Sequence, residues 1–148
     1  MRSLKGLTLL EMLVALALLG SVMALGLMGL GKLRGQLNLE SAAEMLAQDL
    51  QSCRARGLST GNPWRLRVSG SNAYVLEEQV SGSWVVRQTR ALTGSVRLSN
   101  VAVGNTVTFD TRSYMTLDPG TLEVRVTDGA RTLRVLPSMA GAVRVVKL

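Results

Sequence analysis

The sequence predicts an α+β fold in which a long N-terminal helix, half membrane-embedded and half amphipathic, packs against an antiparallel β-sheet domain. Three observations carry that expectation. Residues 7–30 are almost wholly apolar, residues 33–53 repeat apolar side chains with a helical period, and the chain after Pro63 alternates with a period of two. The limits that follow are a transmembrane helix at 7–30, its amphipathic continuation at 31–57 and an antiparallel β domain at 58–148.

The first element is the apolar run. Leu7 to Leu30 holds 24 residues and one ionisable group, Glu11. As a helix it reaches about 36 Å, enough for a hydrocarbon core of about 30 Å. Arg2 and Lys5 precede it and hold its start at the cytoplasmic face. Lys32 and Arg34 follow it and weaken that asymmetry. A secretory signal peptide has a shorter apolar region, roughly 7–15 residues, ending in a small-residue cleavage site. Neither it nor a plain signal anchor explains Glu11. A charge within a bilayer costs roughly 2–3 kcal/mol, less near the end of a span, so it marks function. Gly20, Gly26, Gly29, Gly31 and Gly35 punctuate the segment. They permit close helix approach in lipid, and each weakens the helix by about 1 kcal/mol relative to Ala. Gly26 to Gly35 is either a soft point or ordinary membrane-helix composition.

The helix continues as an amphipathic element. Leu33, Leu37, Ala43, Leu46, Leu50 and Cys53 form one apolar stripe. Glu40, Glu44, Gln48, Asp49 and Gln51 fill the other faces. Gly57 and the run from Ser59 to Pro63 end it. Strands follow at Trp64–Val68, Ala73–Glu77, Trp84–Arg87, Val107–Phe109, Leu122–Val126, Leu133–Leu136 and Val143–Val146. Gly104-Asn105, Pro119-Gly120 and Asp128-Gly129 mark turns. The apolar half of each strand faces the helix stripe, which leaves the arginines largely on the outer face.

Composition excludes several chemistries. There is no His, so no Ser-His-Asp arrangement exists, and Cys53 is the only cysteine, so neither an internal disulfide nor a thiolate zinc site can form. Cys53 reads as a small buried apolar residue. Glu77 and Glu78 are adjacent in a strand and point to opposite faces. No glycine spacing cradles a phosphate. The sequence therefore predicts no enzyme, no metal and no cofactor. Net charge is +7, and 14 of the 17 basic residues are Arg. That charge suits either solvated strand faces or an anionic partner.

The segment Lys5-Gly6-Leu7-Thr8-Leu9-Leu10-Glu11 resembles the processing motif of type IV pilins and type II secretion pseudopilins. The resemblance implies a leader at 1–6, prepilin peptidase cleavage between Gly6 and Leu7, and N-methylation of Leu7. It implies that Glu11 pairs with the N-terminal amine of a neighbouring subunit during filament assembly. Buried ammonium and carboxylate groups neutralise one another there. Family members usually begin the mature chain with Phe, where this sequence has Leu7. Three later stretches are similar to the GspH/FimT branch of minor pilins: Ala47 to Arg56, Thr106-Val107-Thr108-Phe109-Asp110, and the C-terminal strands through Met139 to Val145. The implied partners are other pilins or pseudopilins, the peptidase and inner-membrane lipid. The implied location is single-pass in the inner membrane, with the C-terminal domain outside the cytoplasm and built into a periplasmic or surface filament. Some FimT-type members bind DNA through a C-terminal Gly-Arg-x-Arg stretch. Here the matching positions read Gly141-Ala142-Val143-Arg144, without the first Arg. Arg131, Arg134, Arg144 and Lys147 remain as an alternative basic strip for DNA, with only five aromatic residues in the chain to stack on bases.

Overall fold

A computed structural model describes residues 8–118, 124–137 and 142–148, with the backbone alone at 25–30 and 32. The chain divides into two units, Met1–Arg34 and Gly35–Leu148. One helix, α1 (Leu9–Thr60), supplies most of the described part of the first unit and opens the second.

Among the described residues nine strands follow: β1 (Trp64–Gly70), β2 (Ala73–Val80), β3 (Ser83–Ala91), β4 (Arg97–Ser99), β5 (Thr106–Phe109), β6 (Met115–Asp118), β7 (Val124–Thr127), β8 (Thr132–Pro137) and β9 (Val143–Lys147). They form two antiparallel sheets, in the orders β3-β2-β1-β5-β6 and β4-β7-β8-β9. The Ser81-Gly82 turn joining β2 to β3 has positive φ at both residues. That is the two-residue geometry whose twist matches the flanking strands. Both sheets lay alternate side chains on α1. Leu66 and Val68 of β1, Tyr74 and Leu76 of β2, Val107 and Phe109 of β5 join Val124, Val126, Leu133 and Val135 of the second sheet in one core.

The helix face that meets this core is Leu39, Ala42, Ala43, Leu46, Ala47, Leu50 and Cys53. The expected stripe is therefore corrected at its start, since Leu33 and Leu37 are 53% and 56% exposed while Leu39 is buried. Asp49 is also buried rather than on a solvated face. It accepts from the Tyr74 hydroxyl at 2.9 Å and from Arg90 Nε at 3.0 Å.

The helix also runs past Gly57, which the sequence suggested as its end. A Cβ at Gly57 would lie 3.1 Å from the Asp110 carbonyl oxygen. The glycine serves the close approach of the β5–β6 turn, not termination. The stop comes at Gly61, with φ +70. Thr60 Oγ1 caps this end: it donates to the Arg56 carbonyl at 2.8 Å and accepts from Trp64 Nε1 at 3.2 Å. Strands β4 and β6 were not anticipated: β4 has only three residues, and the alternation of Met115-Thr116-Leu117-Asp118 was passed over. The expected turn at Pro119-Gly120 and the segment from Met139 to Gly141 lie outside the described residues.

Candidate functional site

The first candidate site is the start of α1. Thr8 caps it: its Oγ1 accepts from the Glu11 N–H at 3.3 Å, and its carbonyl accepts from Glu11 and Met12. Thr8-Leu9-Leu10-Glu11 has the Thr-x-x-Glu spacing of a capping box, a signal the sequence reading passed over. Glu11 therefore sits in the first helical turn, exposed, where the helix dipole favours a negative charge. Gly6 and Leu7 lie outside the described residues.

Beyond Glu11 the helix is apolar on every side. Leu9, Leu10, Met12, Leu13, Val14, Leu16, Leu18, Leu19, Val22 and Met23 are each between 51% and 80% exposed. Apolar surface on all faces of one helix needs lipid or other helices around it. Among the described residues no helix is long and apolar enough to cross a membrane. The apolar run of the sequence extends over residues 25–30, whose side chains are outside that description.

The second candidate is the basic C-terminal region. Cross-strand register divides its four residues into two pairs. Arg134 and Arg144 stand opposite Val146 and Leu136, on the face turned away from the buried Leu133 and Val135. Lys147 stands opposite Leu133 on the helix side, and its Nζ lies 3.2 Å from Glu40 Oε1. That contact, with a hydrogen bond from Gln36, lowers the Glu40 pKa. Arg131 occupies the β7–β8 turn, and lines a cavity of about 400 Å³ together with Gln36, Leu39, Glu40 and Lys147. The structure thus brings Arg131 near Lys147, and Arg134 near Arg144, without joining all four in one strip.

Most of the remaining arginines of the first sheet are tied to carboxylates rather than left solvated. Arg65 and Arg67 each reach Glu77 at 2.6 Å, and Arg87 reaches Glu78 at 2.8 Å. The Arg65 guanidinium also lies 4.0 Å from the centre of the Trp84 ring. Glu77 and Glu78 use different partners, as expected for opposite faces. Cys53 is buried beside Asp49, and burial pushes its pKa up to about 12, which keeps the thiol protonated and inert.

Comparison with known proteins agrees with both ends of the chain. The prokaryotic N-terminal methylation motif matches over residues 1–27. The family of type II transport protein GspH matches over residues 42–141. No curated protein matches. Among solved structures, the chain is similar to the minor pseudopilin EpsH from the type 2 secretion system of Vibrio cholerae, with a TM-score of 0.59 and 12% identity over 74% of this chain and 97% of that one. It is also similar to the Pseudomonas aeruginosa type IV minor pilin FimU, with a TM-score of 0.59 and 20% identity over 75% of this chain and 90% of that one. At such identities the likeness is one of fold. The family match takes in the second half of α1 from Ala42 and the strands β1 to β8, about two thirds of the chain, so the chain belongs to the family of type II transport protein GspH.

Proposed function

We propose that this protein is a minor pilin or pseudopilin, a structural subunit of a type IV pilus or a type II secretion pseudopilus rather than an enzyme. It enters the inner membrane through residues 7–30 as a single span, with the C-terminal domain outside the cytoplasm. A prepilin peptidase removes residues 1–6 by cutting between Gly6 and Leu7, and Leu7 is N-methylated. The subunit then joins other pilins or pseudopilins through its apolar helix.

The observation that carries this reading is the uncovered apolar start of α1 with Glu11 in its first turn. Within one chain these groups have no partner of matching chemistry among the described residues. In a bundle of such helices the apolar faces cover one another. Glu11 then meets the free amine of a neighbouring subunit, four positions before the corresponding glutamate. Two opposite charges brought together in a low dielectric stabilise one register and penalise others, because an unpaired charge there costs several kcal/mol. The methylation motif over residues 1–27 supports the same reading.

The alternative is a minor pilin for DNA uptake that uses Arg131, Arg134, Arg144 and Lys147. Their division between two faces favours the structural role.

The test replaces Glu11 with Ala in the full-length protein. Membrane insertion and trimming are expected to persist, while recovery of the subunit in sheared filaments falls about tenfold or more, the equivalent of one lost ion pair of modest strength. Wild-type recovery of the variant in filaments would remove the assembly role.

A further inference from the structure

We infer that the open edge of β9 is a strand-addition site for an extended, acidic segment of a partner protein. The four sheet edges are not alike. β4 and β6 have three and four residues, too short to hold an added strand. β3 has nine, but its register with β2 breaks between Leu76 and Glu77, and its Arg87 and Arg90 are held by Glu78 and Asp49. β9 pairs with β8 in unbroken register from Leu133↔Lys147 to Pro137↔Val143. It has no strand on its other side among the described residues.

The hydrogen-bond phase of this edge follows from one contact. The Leu148 N–H donates to the Thr132 carbonyl at 3.2 Å. Antiparallel pairs alternate, so Leu148, Val146 and Arg144 bond to β8. Val143, Val145 and Lys147 therefore turn their N–H and C=O groups outward. Beside them Val145, Val146 and Leu148 are 40%, 42% and 66% exposed. Unpaired backbone flanked by exposed apolar side chains is a template for another strand.

Charge selects the occupant. The strands of the second sheet carry Arg97, Arg125, Arg134 and Arg144 and, among the described residues, no acidic residue, while Lys147 of β9 already meets Glu40. In the adjoining turn, the Asp128 carboxylate already accepts from the Ala130 and Arg131 N–H groups. On the helix side of the edge, Glu40, Glu44, Leu133, Val145 and Lys147 line a cavity whose two carboxylates disfavour acidic side chains there. An added strand that alternates therefore sets acidic side chains beside Arg144 on the outer face and apolar ones over Val145 on the helix side. Nucleic acid fits this edge less well. These strands hold no aromatic residue for base stacking, and the cations are divided between faces. The inference does not depend on cleavage after Gly6.

The test uses the full-length protein in detergent micelles and a labelled peptide alternating Val and Glu. The controls are the same peptide with Lys for Glu and a single-stranded oligonucleotide. The Val/Glu peptide is expected to bind and to slow hydrogen exchange at the amides of Val143, Val145 and Lys147. Val145→Pro removes an outward N–H without breaking the β8–β9 ladder, and is expected to weaken binding about tenfold. Arg144→Glu is expected to weaken it as well. The proposal is overturned if the Val/Lys peptide binds equally, if the oligonucleotide binds and the peptide does not, or if Val145→Pro leaves affinity unchanged. Should that variant disturb the edge itself, the wild-type exchange measurement decides alone: unslowed exchange at those three amides overturns the proposal.

Discussion

Glu77 lies buried under two guanidinium groups, and its ionisation couples the first sheet to pH. Burial favours the neutral carboxyl, but hydrogen bonds from Arg67 and Arg65 outweigh it and lower the pKa below the ordinary 4.5. For Glu78 the hydrogen bond from Asn62 leads, and that from Arg87 adds to it. A carboxylate whose pKa falls on folding stabilises the native state fully above its unfolded pKa, and that contribution is lost as pH drops through the lowered value. The contribution of Glu77 is thus intact from neutral pH down to about 4.5 and fades below it. Glu77→Gln is expected to cost about 2 kcal/mol at neutral pH and to flatten the acid limb of a melting-temperature profile. An acid limb as steep as the wild type's would contradict this. Asp49 is the other residue whose loss leaves a buried donor unpaired. Asp49→Ala strands the Tyr74 hydroxyl, at a cost of about 1–3 kcal/mol in urea unfolding. Asp49→Asn keeps an acceptor there and is expected to cost less, and equal losses would tell against the bond.

At the scale of elements, the decisive contact is between α1 and the β5–β6 turn. Asp110 closes that turn by accepting from the Arg112 and Tyr114 N–H groups at 2.8 and 2.7 Å. Its carbonyl then stands over Gly57. Gly57→Val is expected to lower stability by about 1–3 kcal/mol through overpacking, read by thermal unfolding. A stabilised variant would mean that the turn shifts freely.

The same region shows what the sequence could carry. The change of period at Pro63 announced helix and then strands, and seven of the nine described strands were legible from alternation and turn residues. Leu37 was misplaced because the helix face is set by what packs on it, and periodicity leaves the phase of a long apolar helix loose. Asp49 was misplaced because a carboxylate reads as solvent-facing until its partners, Tyr74 and Arg90, arrive from strands 25 and 41 residues away. The division of the nine strands into two sheets is likewise set by long-range pairing. Of the candidate site, Glu11 and its apolar surroundings were legible because they are contiguous in sequence. The faces of Arg131, Arg134, Arg144 and Lys147 were not, since they depend on the β8–β9 register.

For the whole molecule, the two units divide the work by chemistry. The unit Gly35–Leu148 buries its own apolar surface in one core. The described side chains of Met1–Arg34 leave theirs uncovered. A chain built this way requires a second environment for its first unit, and in the proposed function that environment is lipid before assembly and neighbouring helices after. The proposed assembly begins with a cut between Gly6 and Leu7. The most direct measurement is the intact mass and N-terminal sequence of the full-length protein extracted from membranes of cells that contain a prepilin peptidase. A chain that begins at N-methylated Leu7 is expected, with retention of the whole leader in Gly6→Ala. A wild-type chain that still begins at Met1, or a Leu7 start in Gly6→Ala, would contradict it.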